Sequence, residues 1–167
     1  LLLALVPPTD ADSLDYHLGV PLVWLAEGGY QPLDSWYVAR LTGLGERVIL
    51  FGLANGTDVL SALLQWSGLV IAIISIYELS PSQRRDDLIL SSLLVLSAPV
   101  ITFLVMNQKP YLFPASSVAL GVSLLLTNSK AIAYKKRLPV GLLLIISAVL
   151  YKYSFLLTLF GLFFLLI

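Results

Sequence analysis

Cysteine is absent from this chain of 167 residues, and charged residues make up only 12% of it. Without cysteine there is no disulfide frame, no thiolate metal site and no cysteine nucleophile. A soluble domain carries about 25% charged residues, so the charge deficit argues against an ordinary soluble fold. Ten basic and ten acidic residues leave no net charge, which removes the electrostatic basis for binding nucleic acid. Histidine and methionine occur once each, as His17 and Met106. The chain opens on Leu1 and stops in the apolar run GLFFLLI, so it is expected to be the N-terminal part of a larger membrane protein.

What the chain does contain is apolar surface: 58% of its residues are hydrophobic and its mean hydropathy is +0.91. A core this small cannot bury so many uninterrupted apolar runs. Crossing the hydrocarbon takes roughly 20 apolar residues in a helix. The pattern predicts an all-α, polytopic transmembrane bundle. Residues 1–6 form the end of a first span, and residues 7–58 a long external loop carrying interfacial amphipathic helices. Spans follow near 59–79, 88–106, 111–127, 138–151 and 153–167, the last two meeting at Tyr151-Lys152-Tyr153-Ser154.

Lys and Arg mark cytoplasmic loops. Arg84 and Arg85 fall in one turn, and Lys130, Lys135, Lys136 and Arg137 in another, two spans away and therefore on the same side. The segment from Pro7 to Glu46 holds six acidic residues and a single base, Arg40. One span separates it from the basic turns, which places it outside. This topology requires Leu41 to Ala54 to lie at the interface rather than cross.

Within the external segment, Asp10, Asp12, Asp15 and His17 fall in eight residues. The same side receives Lys109 and Lys152, the latter about 21 Å along a helix starting at Leu138. Arg40 and Arg47 flank the interfacial segment. A carboxylate facing separated cations suits group transfer, with the acid as base on a hydroxyl and the cations holding an anionic leaving group. A lipid-linked phosphate or diphosphate is such a leaving group at a membrane surface.

Each residue also has a structural explanation. Asp12 could cap a helix from Ser13 to Ala26, with Asp15 as the capping-box partner and Leu14, Leu18, Leu22 and Leu25 as a membrane-facing stripe. Pro21 would kink that helix and Gly28-Gly29 end it. His17 could be a packed histidine, or could join Asp12 on Mn²⁺, Mg²⁺ or Zn²⁺. Lys152 could snorkel to the headgroups between the anchors Tyr151 and Tyr153, although an ionisable group within a span is by default a functional candidate. Lys109 could be solvated, and Glu78 could pair with Arg84 or Arg85. Asn55-Gly56-Thr57 fits a glycosylation sequon, but Asn-Gly reads better as a turn before the span from Val59.

The segment PPTDADSLDYHL resembles the start of the first external loop in the GT-C superfamily of membrane glycosyltransferases, in the branch of protein O-mannosyltransferases and aminoarabinose transferases. DSLDYHL is similar to the D-A-L-x-Y-H-L form of bacterial members. The layout agrees over nearly the whole chain, including the outer turn NQKPYLFP and the segment Leu150-Tyr151-Lys152-Tyr153-Ser154. The outer-turn aspartate common in the family is replaced by Lys109-Pro110-Tyr111. WYVARLTGLGERVILFGLANGTD stands where the aminoarabinose transferases carry Lys-Pro-Pro-Leu. The resemblance implies an inverting transferase in a bacterial inner membrane, active on its outer face, that uses a polyprenyl-phosphate-linked sugar and a glycan, lipid or protein acceptor. It implies Asp12 as the catalytic or metal-facing carboxylate, with Asp10 as the alternative. Tyr16, His17, Lys109, Lys152 and Arg40 are the expected substrate contacts, and a divalent metal is compatible. The competing expectations are a transporter or flippase of lipid-linked sugar and a non-catalytic membrane subunit.

Overall fold

The structure, a computed structural model, describes residues 1–33, 35–80, 82–127 and 131–166. The described residues are helical and contain no strand. A 3-10 turn, Leu2–Leu5, precedes the first polar segment. A π-helical turn, Ser13–Leu18, runs directly into α1, Gly19–Ala26. The 3-10 helix Tyr37–Leu41 and α2, Leu44–Ala54, complete the loop region. Then come α3 (Leu60–Leu79), α4 (Arg85–Leu96), α5 (Pro99–Met106), α6 (Leu112–Leu126), α7 (Ala131–Tyr151) and α8 (Leu156–Leu166), with a 3-10 turn, Tyr153–Phe155, before α8.

Helix α3 packs on α6, and α6 on α7. The α3 face turned inward is small and polar rather than greasy: Ser61, Ala62, Gln65, Gly68 and Ser75 are buried. On α6 the buried set includes Ser116, Ser117, Gly121 and Ser123. Small residues let helix backbones approach closely, which is the usual way helices associate in lipid. An added Cβ on Gly68 would lie 2.7 Å from the Phe113 backbone, and one on Gly121 2.7 Å from the Gly141 carbonyl. Polar side chains bridge the same seam. The Phe113 N–H donates to Gln65 Oε1 (3.1 Å), satisfying one of the orphan donors at the start of α6. Ser123 Oγ donates to the Ser75 carbonyl (2.9 Å). Large apolar side chains point the other way, as on α4, where Leu88, Ile89, Leu90, Leu93, Leu94 and Leu96 are exposed.

Among the described residues, α3 is the one helix that alone is long and apolar enough to cross a membrane; α4 and α5 together make a second candidate if bent pairs count. The run expected as one span over Leu88–Met106 is bent in the structure: α4 and α5 meet at 72°. Pro99 is responsible. It has no N–H to continue the helix, and it drives Ala98 into an extended conformation (ψ 111°). Helix α7 begins earlier than expected and takes Lys135, Lys136 and Arg137 into its first turns. Lys130 and Ile167 lie outside the described residues. The break before α8 is where the sequence places it, with Lys152 extended (φ −149°, ψ 122°) between two helical stretches.

The ends of the bundle differ in charge. At one end Glu78 pairs with Arg137 (3.4 Å), and not with Arg84 or Arg85 as expected. Thr127 Oγ1 donates to the Glu78 carbonyl (3.2 Å) at the same end. At the other end Ser61 Oγ donates to the Gln108 carbonyl (3.2 Å), beside Lys109. The acid cluster and the basic turns therefore sit at opposite ends of α3. In the loop, Gly28 and Gly56, both at φ 77°, end α1 and α2. Asn55-Gly56 is thus a helix-ending turn, with Thr57 N–H donating to the Gly52 carbonyl (3.0 Å).

Replacing Gly68 with valine should force α6 away from α3 and cost about 1–3 kcal/mol. The check is the thermal midpoint of the full chain in detergent, where the variant should melt clearly below wild type.

Candidate functional site

The first functional side chains come from the turn that opens the loop helix. Asp10 Oδ1 accepts the Ser13 N–H (3.0 Å), so Asp10 is the capping residue. Asp12, expected in that role, already has helical dihedrals and makes no capping bond. Asp15, its expected partner, is exposed. With its backbone duty taken by Asp10, the Asp12 carboxylate is free to meet Lys109, at 3.0 Å, while Asp10 Oδ1 lies 3.2 Å from the same ammonium. Lys109 is therefore not the solvated turn residue that its position suggested. Its side chain is 15% exposed, while the Asp12 side chain remains 65% exposed. Burial alone would lower the Lys109 pKa, but its bonds to Asp12 and Asp10 raise it. Burial likewise works against Asp10, yet the Ser13 bonds and Lys109 hold its carboxyl below the usual range.

The π-turn widens the helix just before Pro21, which has no N–H to offer the His17 carbonyl. Such wide turns recur at functional sites. Here the turn carries Tyr16 and His17 side by side, their rings 3.9 Å apart. Its leucine stripe is only partly exposed: Leu14, Leu22 and Leu25 face out, while Leu18 is buried.

His17 is fully buried and its Nδ1 meets Glu46 Oε1 at 2.8 Å. The other Glu46 oxygen accepts the Gly43 N–H at 2.6 Å. Burial lowers the His17 pKa; the Glu46 bond opposes this, and the Lys152 and Lys109 charges add to the lowering. Glu46 is the residue that sequence reasoning missed. Its signal was a carboxylate three residues after Gly43, at the start of a largely apolar helix.

Lys152 is 7% exposed and does not snorkel. The helix break turns it inward, so its Nζ lies 3.5 Å from the Tyr16 hydroxyl and 3.5 Å from the centre of the Tyr111 ring. The Tyr16 hydroxyl pKa is raised well above normal, by burial first and then by Tyr111, Glu46 and Asp12. Tyr16 is therefore a neutral phenol beside the ammonium. Two glycines bring the pieces together. An added Cβ on Gly43 would lie 2.7 Å from the Tyr151 carbonyl, and one on Gly45 2.5 Å from Pro110 Cβ. Of the expected anchors, Tyr153 is exposed but Tyr151 is buried against Phe113.

Asp10, Asp12, Tyr16, His17, Lys109 and Lys152 are thus brought together at one end of the bundle. Arg40 is exposed on the helix Tyr37–Leu41 and takes no part in these contacts. Asp12 and His17 do not converge as metal ligands, since one faces Lys109 and the other Glu46. Among the described residues, no group of three or more His, Asp or Glu side chains forms a metal site.

The whole stretch 1–167 matches the family model described as the DUF1420 N-terminal domain. The chain belongs to the DUF1420 family. No curated protein and no solved structure matches it.

The lowered His17 pKa fixes a sign for the DUF1420 domain. Between that pKa and the unfolded value of about 6.5, the unfolded chain binds the extra proton, so stability rises with pH. The contribution of His17 is complete above pH ~6.5 and is lost as pH falls through the folded pKa. The thermal midpoint in detergent should drop over this range in wild type, and His17→Asn should remove that part of the drop.

Proposed function

We propose that this domain is the membrane-embedded part of a glycosyltransferase that takes a sugar from a polyprenyl-phosphate carrier. The observation that carries the proposal is Lys152. Its ammonium is buried, and among the described residues its neighbours are a neutral phenol and an aromatic face rather than a carboxylate. A buried charge without a counter-ion is costly, and a phosphate group placed there would supply the missing anion. Lys109 lies nearby with its charge balanced by Asp10 and Asp12. The layout of a polytopic bundle in a bacterial inner membrane, with this end outside, agrees with the basic residues gathered at the opposite end.

In the proposed reaction the oxygen of an acceptor hydroxyl attacks the anomeric carbon. The bond from that carbon to the phosphate oxygen breaks, and configuration inverts. Asp12, the more exposed of the two acids on Lys109, orients the hydroxyl and takes its proton. The lipid phosphate leaves with the bonding electrons, held by Lys152 and Lys109. The acceptor is a hydroxyl of a glycan, a lipid or a protein. The bent pair α4–α5 favours a second reading, a transporter or flippase of lipid-linked sugar, because broken helices line transport paths. Transport of the lipid-linked sugar with no new glycosidic bond would select that reading.

Two substitutions in the full chain test the proposal. Asp12→Asn should lower sugar transfer by about 10²–10⁴-fold with normal expression; near wild-type transfer would remove Asp12 from the mechanism. Lys152→Met should leave the free protein as stable as wild type or more so, yet abolish its stabilisation by a short prenyl phosphate in a thermal-shift assay. An unchanged shift would rule out Lys152 as the anion site.

A further inference from the structure

We propose that His17 is a specificity residue, whose neutral Nε2 accepts a hydrogen bond from a hydroxyl of the sugar carried by the phosphate. The inference rests on the Lys152 phosphate site and goes beyond it, because it assigns the neighbouring contact and its polarity.

The polarity follows from Glu46. Both of its oxygens are occupied by donors, His17 Nδ1 at 2.8 Å and the Gly43 N–H at 2.6 Å. Nδ1 therefore carries the ring proton, and in the neutral ring Nε2 is left as an acceptor. Neutrality is favoured by burial, and Lys152 and Lys109 reinforce it. Nε2 is buried and has no hydrogen-bond partner among the described residues. A buried polar atom without a partner is rare in native structures and points to a functional use.

The position follows from the rings. His17 lies 3.9 Å from Tyr16 and 6.1 Å, edge to face, from Tyr111. Those are the two aromatic residues that hold the Lys152 ammonium. An acceptor nitrogen beside an anion site, walled by two tyrosines, matches a group that is anionic at one atom and hydroxylated at the next. A sugar phosphate ester has that layout; a bare lipid phosphate has only the anion. A site that bonds a ligand hydroxyl discriminates strongly against a ligand lacking it, because its own polar group is then left unpaired. Glu46 acts through His17 and is a positioning residue.

The test compares two probes on the full chain in detergent: a short prenyl phosphate, and the same phosphate carrying glucose, galactose or mannose. Wild type should bind at least one sugar-bearing probe more tightly than the bare one. His17→Asn keeps a donor where Nδ1 lies, and so its bond to Glu46, but removes the Nε2 acceptor. It should weaken the preferred sugar probe by about 10–100-fold and leave the bare phosphate unchanged. His17→Gln places an amide near Nε2 and should restore part of the difference. A purely structural histidine would move both probes together or neither. If prenyl phosphates bind but His17→Asn leaves their ratio intact, or if no sugar is preferred, the role of His17 is overturned while the Lys152 site stands. If neither probe binds wild type, both fall.

Discussion

The close approach of α3 and α6 is the constraint on which the rest depends. Gly68 lets the backbone of Phe113 come in, and Gln65 accepts the Phe113 N–H in the first turn of α6. The residues buried between α3 and α6 are small and polar, so fit and internal hydrogen bonds hold the pair. The serines and glycines along the seam provide both. Because α6 starts at that contact, the turn holding Asn107, Gln108 and Lys109 is fixed at the same end of α3, and Lys109 is delivered to Asp10 and Asp12. The polar cluster is therefore a consequence of helix packing several turns long rather than of any loop finding its own shape.

Much of this was legible in the residues. Apolar length located the helices α3 and α6 to within a residue or two, because the ends of an apolar helix are set mainly by where polarity resumes, although of the two only α3 is long and apolar enough to cross a membrane. Asn55-Gly56 and Gly28-Gly29 ended their helices for the conformational reason that glycine suggests. Pro99 was the opposite case. Its run is uncharged throughout, so hydropathy alone read one span, while the proline bends the chain at its predecessor. Helix ends carried by charged residues, as at the start of α7, were also hard to read, since lysine is a good helix former as well as a loop marker.

The site was legible in its members but not in its pairings. Asp10, Asp12, His17, Lys109 and Lys152 were chosen because charges are rare in this chain. Who bonds whom depends on three-dimensional register. The exchange of the capping role from Asp12 to Asp10 turns on a helix start two residues earlier, and it decides which carboxylate faces outward. Glu46 was hidden because its helix read as interfacial, where an acid ordinarily faces water. Lys152 was a candidate that could equally have snorkelled to the headgroups, because a sequence does not show which way a helix break turns the side chain.

Gly43 and Gly45 give the cluster a different kind of control. Neither carries charge or touches a reacting group, yet each occupies the contact between the start of α2 and its neighbours at Tyr151 or Pro110. They act as spacers of minimum thickness. The distance between α2 and the end of α7 is set by hydrogen atoms where any other residue would put carbon, and that distance carries Glu46 and Lys152 on its two sides. Mutational tolerance at these two silent positions should therefore be as narrow as at the charged ones, and a search for functional residues that looks only for chemistry would pass them by.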